Sequence, residues 1–426
     1  MKKVVQIFLK ILAKIVIAKY HPEVVGITGS IGKTSAKEAI YKVLSPHFNV
    51  RQSQKNYNNE LGVPLTILGV GSPGKSFFGW VKLLGKFFAL VFKTDNNYPP
   101  ILILEMGVDR IGDMKYLMSI VKPHIGIVTG VSHSHLEHFE NVENIKKEKQ
   151  NLITNLTKNG LAVLNYDNEW TKMMLKESRH KVLSYGFEDG ADILGQEVSF
   201  TSLKDGKGIA GINFKVNYNG SIVPFNIPDA VGYPAIYAIL AAVAVGVYYQ
   251  INLIDIANSL LEFSLPAGRL RPIAGLNNSV IIDDTYNAAA DSTLAAIDVL
   301  ENIKRDDSRK LIALGDMLEL GGESEADHIK VGERIAEFDP DILFLVGEKA
   351  RLIGAGAISK DYDKNKIVYF SDSYEAAEKI PAKIAAGDII LVKGSQGARM
   401  ERIVKSLMID PSKAESVLVR QGQAWN

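Results

Sequence analysis

The chain reads as an α/β protein in two units: a central parallel-sheet domain of the phosphate-loop type carrying a β insert, then a Rossmann-like α/β domain. Three observations lead there. Apolar runs alternate with helix-like segments along most of the 426 residues, the signature of parallel sheets covered by helices. Gly26-Ile27-Thr28-Gly29-Ser30-Ile31-Gly32-Lys33-Thr34-Ser35 follows the apolar pair Val24-Val25, so a buried strand enters a glycine-rich turn that opens a helix. A polar-apolar alternation broken by glycines over Asp192 to Ile227 interrupts the βα pattern as an antiparallel insert or subdomain.

In chain order, Met1 to Tyr20 is an amphipathic helix, because Lys10 and Lys14 interrupt an apolar run too short for a signal peptide or a membrane span. It packs on the first domain or lies on an anionic membrane surface. Lys75 to Lys93 is aromatic, apolar and basic at helical spacing and forms one apolar patch with it. Ile101 to Leu104, Ile125 to Thr129 and Leu161 to Leu164 read as buried strands, and Ala235 to Val247 as a small-residue helix. Leu265-Pro266-Ala267-Gly268 breaks the periodicity, which divides the chain into a helix at 1–22, a central domain at 23–265 and a second domain at 266–426. In the second domain, strands at Val280 to Asp283, Lys310 to Leu314, Ile342 to Val346, Ile367 to Phe370 and Ile389 to Val392 alternate with helices.

Composition narrows the chemistry. A net charge of +1 supplies no bulk field for nucleic acid. With no cysteine, disulfides, thiolate metal sites and a cysteine nucleophile are excluded, and a reducing cytosolic setting fits.

The glycine-rich turn is built to hold a nucleotide triphosphate. Its backbone N–H groups, at Gly29, Ser30 and Gly32, face phosphate oxygens together with the positive end of the helix. Lys33 neutralises the β- and γ-phosphates, and Thr34, followed by Ser35, offers its hydroxyl to Mg²⁺. An ordinary strand-turn-helix corner requires neither the lysine nor the hydroxyl. Glu105 ends an apolar strand, where it holds Mg²⁺ at the phosphate crevice or caps a helix. His133, His135 and His138 lie close together, but without cysteines they make a poor zinc site; a single histidine on Mg²⁺ beside phosphate fits better.

These motifs, with Asn56 to Thr66, Leu104 to Gly107, His135 to Phe139, Gly268-Arg269, Ile281 to Asn287, Leu314 to Gly321 and Leu391 to Glu401, occur in the order of one family. The chain resembles the Mur ligases, ATP-dependent amide-bond-forming enzymes of cell-wall precursor synthesis, and within them the MurF-like branch that adds D-alanyl-D-alanine. A related ligase that adds glutamate to folate matches less well.

The resemblance implies a P-loop ATPase-type central domain and a closing second domain. It implies that a substrate carboxylate attacks the γ-phosphorus of ATP and that an amine then displaces phosphate from the acyl phosphate. It also implies two Mg²⁺ ions, Thr34 and Glu105 on the first and His135 on the second, and a carbamylated lysine at Lys149, with Lys146 and Lys147 as competitors. Arg269 is implied on ATP phosphate, Asp284 on the ribose, and Tyr286 and Asn287 near the nucleotide. Asn58 and Asn59 line the nucleotide-sugar path or form a turn, and Lys393 and Ser395 take the carboxylate of the incoming amine. The partners implied are a small-molecule or lipid-linked peptide precursor and an amino acid or dipeptide, met by a monomeric cytoplasmic enzyme at the inner face of the membrane. A second reading is a catalytically reduced relative that binds nucleotide as a membrane partner or scaffold.

Departures accompany the match. Where the family carries a histidine and two asparagines at the adenine end of ATP, this chain has Gly232-Tyr233-Pro234-Ala235-Ile236-Tyr237-Ala238, so adenine recognition is expected to be rebuilt, relaxed or lost. About twenty residues precede the phosphate loop, where the family places a UDP-gripping domain; the nucleotide-sugar end is expected to be held differently, or to lack UDP.

Overall fold

The computed structural model describes residues 2–54, 57–132, 139, 141–201, 211–303, 308–318 and 320–422. Two sheets organise it. The first has nine strands in the order β2-β3-β1-β4-β5-β6-β7-β8-β9: β1 (Glu23–Thr28), β2 (Val50–Gln52), β3 (Ile101–Glu105), β4 (Ile125–Val128), β5 (Leu161–Asn165), β6 (Lys181–Gly186), β7 (Ile193–Thr201), β8 (Gly211–Tyr218) and β9 (Ser221–Ile227). Every pairing from β2 through β6 to the near edge of β7 is parallel, while β7, β8 and β9 form an antiparallel ribbon. The alternation over 192–227 was read correctly as antiparallel. The ribbon is not a separate subdomain, however, because β7 pairs with β6 and carries the central sheet onward.

Alternate residues of the buried strands face opposite helical layers, as period-two geometry requires. Val25, Ile27, Ile101 and Ile103 meet the layer of α2 (Lys33–Leu44) and a later helix, Tyr233–Tyr248, whose run of small residues is buried almost throughout. Val24, Leu102 and Leu104 meet α1 (Lys2–Tyr20), α3 (Gly62–Leu68) and α4 (Phe77–Phe92). The same layer continues with α5 (Asp113–Met118), α6 (Val142–Thr154) and α7 (Glu169–Glu177). In chain order, Tyr233–Tyr248 is α8 and Leu253–Ser259 is α9.

The second sheet has the order β10-β11-β15-β12-β13-β14, formed by β10 (Arg271–Ala274), β11 (Val280–Asp284), β12 (Lys310–Gly315), β13 (Ile342–Val346), β14 (Ile367–Phe370) and β15 (Ile389–Lys393). Only β10 is antiparallel within it. Ile282, Leu391, Ile312 and Leu314 on one face join the apolar cluster that also covers the first sheet. The cleft between the two sheets therefore rests on a shared core.

Candidate active site

The strand-turn-helix corner forms as its residues dictate. Gly29 has φ +148° and Gly32 φ +85°; at Gly29 a Cβ would sit 1.9 Å from Thr129 Oγ1, so a side chain is excluded by both conformation and space. The loop is braced from behind. Ser30 N donates to Gly130 O over 2.9 Å, and Thr129 Oγ1 donates to Ile31 O over 2.5 Å. Lys33 folds back so that its ammonium donates to Gly29 O over 2.6 Å.

Register then delivers the acid. Strands β1 and β3 pair with Ile27 opposite Glu105, one residue before the turn. From there Glu105 Oε2 accepts from Thr34 Oγ1 over 3.1 Å and Oε1 accepts from Asn58 Nδ2 over 3.2 Å. Asn58 is anchored in turn, its carbonyl accepting from Gly107 N over 2.7 Å. Its neighbour Asn59 has the turn role, since its side-chain oxygen accepts from Leu61 N and Gly62 N at the start of α3.

The three lysines of α6 separate cleanly. Lys147 points outward to Glu143 at 3.9 Å, and Lys146 pairs with Glu177 at 2.8 Å. Lys149 is buried. Burial first, then the charge of Lys33, push its amine down to about 7, against the opposing pull of Asp109 and Glu148. Glu148 is itself turned toward α5, accepting from Gly112 N and Met114 N. The Lys33 ammonium is also held below its ordinary value, by burial, with Glu105 opposing, Arg269 adding to the depression and Asp109 opposing.

Across the cleft, Gly268 (φ +67°) lets the chain turn against the Tyr286 backbone. Arg269 stacks on Tyr286 with its guanidinium carbon 3.9 Å from the ring centroid, and its Nε is buried with no hydrogen-bond partner among the described residues. Asp284 accepts from Leu270 N over 3.2 Å and from the Lys393 ammonium over 2.6 Å. Lys393 also donates to Asn287 O over 3.0 Å. Ser395 Oγ donates to Ala288 O and accepts from Leu318 N. Lys393 and Ser395 thus hold the loop at 284–288 from beneath, while Lys393, Asp284 and Asn287 border the cleft.

That cleft encloses about 1020 Å³, part of it open to solvent, between Ser30, Gly32, Thr34 and Ser35 on one side and Arg269, Asp284, Asn287 and Lys393 on the other. Pro234, Leu265, Ala288 and Leu320 add an apolar share to its lining. A second hollow of about 600 Å³ adjoins the loop beside Pro234 and Tyr237. Tyr237 is not turned into open space; its hydroxyl donates to Asp167 over 2.8 Å. The structure therefore lines one wall with Ser30, Gly32, Thr34 and Ser35 and the other with Arg269, Asp284, Asn287 and Lys393. Glu105 and Asn58 are tied to the first wall through Thr34, and Gly29 and Lys33 belong to the same turn. Lys149 feels the charge of Lys33, and Tyr286 and Ser395 support the second wall. His135 lies outside the described residues.

Sequence reasoning missed three supports. Thr129 braces the turn, Ser53 Oγ accepts from Glu105 N over 3.2 Å, and Arg420 clamps the other wall through Thr285 O and through Tyr286 O at 3.1 Å. None carries a local signal, because each acts on a segment distant in the chain.

Comparisons with known proteins agree with this geometry. Residues 87–246 match the Mur ligase middle domain and residues 268–396 match the Mur ligase glutamate ligase domain. The UDP-N-acetylmuramoyl-tripeptide--D-alanyl-D-alanine ligase of Bacillus subtilis (strain 168) is 28% identical over 400 residues, 94% of this chain and 79% of that protein. MurF from Acinetobacter baumannii superposes with a TM-score of 0.78 at 24% identity, over 95% of this chain and 81% of that one. MurF ligase from Thermotoga maritima, solved in complex with ADP, gives 0.74 at 23% identity over 94% and 83%. With both domains matched in order, after a phosphate loop that meets a strand-end glutamate, this chain belongs to the Mur ligase family.

Proposed function

We propose that this chain is an ATP-dependent amide-bond ligase of peptidoglycan precursor synthesis that adds D-alanyl-D-alanine, or a closely similar amine, to a peptide carboxylate through an acyl phosphate. The observation that carries this reading is that Thr34, which lines the cleft, donates to Glu105, while Lys33 of the same turn is felt electrostatically by both Glu105 and the buried Lys149. A nucleotide-binding scaffold has no use for that set, so the ligase reading is preferred to a catalytically reduced relative.

Both chemical steps concentrate negative charge, and cations placed in advance where it develops lower the barrier. In the proposed arrangement, Lys33 exchanges its contacts to Gly29 O and Ser30 O for the β- and γ-phosphates, while Arg269 approaches from the opposite wall. Thr34 Oγ1 and Glu105 Oε2 form an all-oxygen pair suited to Mg²⁺, which takes one or two protein ligands and completes its shell with phosphate and water. Bound there, the ion would polarise the γ-phosphate. Asn58 fixes the orientation of Glu105. Lys149, whose amine burial pushes down to about 7, is suited to take up CO₂; the resulting carbamate would supply an anion near Lys33, where His135 is proposed to support a second ion. Asp284 is assigned to the ribose, and Tyr286 and Asn287 to its surroundings. Lys393 and Ser395 are assigned to the amine-binding side through the loop they hold. The apolar part of the cleft takes the base with few polar contacts, which favours relaxed discrimination between ATP and GTP. We place the enzyme in the cytosol as a monomer.

Phosphate release from ATP tests the reading, measured with a UDP-linked peptide acceptor and D-alanyl-D-alanine together, singly and absent, in the wild type and Lys33→Ala. Release is expected only with both substrates and at least about a hundredfold above the variant. Release that never exceeds that of the variant under any combination overturns the ligase assignment.

A further inference from the structure

Helices α1 and α4 share one layer. Leu9, Leu12, Ala13 and Val16 of α1 and Leu83, Phe87 and Leu90 of α4 belong to the same buried cluster, against Leu102 and Leu104 of the sheet. The two helices are also tied end to end. The Lys19 ammonium donates to the carbonyls of Leu90, Val91 and Lys93, and the Tyr20 hydroxyl to that of Leu90. Because both buried faces press on the same side of the sheet, both opposite faces point away from the protein on the same side.

Those outer faces are apolar. On α1 they expose Val4 (70%), Ile7, Phe8, Ile11 and Ile15; on α4 they expose Phe77 (76%), Phe78 (81%), Val81, Phe88 and Phe92 (78%). In each helix the spacing is that of a single stripe. So contiguous a hydrophobic surface is uncommon on a monomer and marks an interaction site. Its charge identifies the partner. Residues 1–20 and 75–93 together carry nine lysines and no aspartate or glutamate, in a chain whose net charge is only +1. Lys3, Lys14, Lys75, Lys82 and Lys93 are exposed.

We propose that this paired face docks on the surface of an anionic phospholipid bilayer. The phenylalanines enter the acyl boundary and the lysines engage the headgroups, the arrangement by which amphipathic helices lie in an interface. A second copy of the chain fits the face poorly, since joining two such surfaces sets lysines against lysines. The helices lie on the surface and do not cross it: among the described residues no helix is long and apolar enough to span a membrane. Docking also has a bearing on the site, because Gln6 of α1 donates to Glu60 over 2.7 Å, two residues from Asn58. The helix that carries the docking face therefore touches the segment that carries Asn58.

The test is flotation of the full chain, without nucleotide, on vesicles of phosphatidylcholine with and without phosphatidylglycerol. It compares the wild type with Phe78→Glu/Phe92→Glu, two exposed positions whose replacement leaves the core intact; circular dichroism confirms the fold. The wild type is expected to partition at least about tenfold more onto the anionic vesicles, less so as salt rises, and the double variant to lose at least about tenfold of that binding. No co-flotation with anionic vesicles overturns the proposal, as does co-flotation that the variant leaves unchanged. A wild-type dimer by light scattering that the variant dissolves also overturns it, by giving the face to a second copy. None of these readouts depends on ligase activity, so the two assignments fail separately.

Discussion

The Lys393 ammonium donates to the Asp284 carboxylate over 2.6 Å, joining the last residues of β15 and β11, which are direct register partners. Both are buried, and both border the cleft. The pair locks the strand ends together exactly where the loop 285–288 departs toward the phosphate-loop wall, so one buried charge pair sets the position of Tyr286 and Asn287.

Lys393→Met leaves Asp284 charged in the interior with only a backbone N–H as partner. Stability is expected to fall by about 3–5 kcal/mol, the usual consequence of stranding one member of a buried ion pair. Adding Asp284→Asn should recover part of that loss. Urea unfolding of the two single variants and the double variant decides it; strictly additive losses would show that the residues are uncoupled.

Gly29→Ala adds a Cβ at 1.9 Å from Thr129 Oγ1 on a backbone of φ +148°. The turn must open to accept it, which misaligns the N–H groups that face phosphate. Nucleotide affinity, read with a fluorescent ATP analogue, is expected to fall at least about tenfold, with a stability loss of about 1–3 kcal/mol. Gly29→Ala/Thr129→Ala removes the clash but not the backbone strain, so it should regain only part of the affinity. Unchanged affinity in Gly29→Ala would refute this account of the loop.

Lys149 makes a pH prediction whose sign follows from burial. Burial pushes its amine from the ordinary 10.5 down to about 7, so the unfolded chain binds the proton more tightly. The destabilisation is complete below about pH 7 and is relieved as pH rises toward 10.5. In CO₂-depleted buffer, Lys149→Met is expected to be about 1–3 kcal/mol more stable than the wild type near pH 7 and to lose this part of the pH dependence. The same neutral amine should take up labelled bicarbonate increasingly from pH 6 to 8, giving a carbon-13 NMR signal absent from Lys149→Met. A stability difference that does not vary with pH would argue against the depressed amine.

How much of this was legible before folding depends on how local each feature is. The phosphate loop was, because its strand, glycines, lysine and helix start lie within a dozen residues and their chemistry needs no distant partner. The long buried strands were also, since burial on both faces writes itself as a continuous apolar run. Strands β2, β6 and β10 were not read; β2 and β10 are three and four residues long, and pairing rather than propensity makes them strands. The ribbon β7–β9 was read as antiparallel, but its attachment to β6 was not, since alternation along one strand says nothing about which edge it joins.

Sequence by itself determined that a triphosphate-binding corner, a strand-end glutamate and a lysine-bearing helix belong to one chain in a known order, and that two basic apolar helices accompany them. Tertiary structure alone decided that Lys146 of α6 takes Glu177 as its partner while Lys149 is buried near the charge of Lys33, that Asn59 holds the turn into α3 while its neighbour holds Glu105, and that Lys393 meets Asp284 across 109 residues of chain. It also decided that α1 and α4 present their apolar faces on the same side. The reason is physical: propensity and periodicity act over a few residues, whereas burial, register and charge pairing exist only once distant segments occupy the same space.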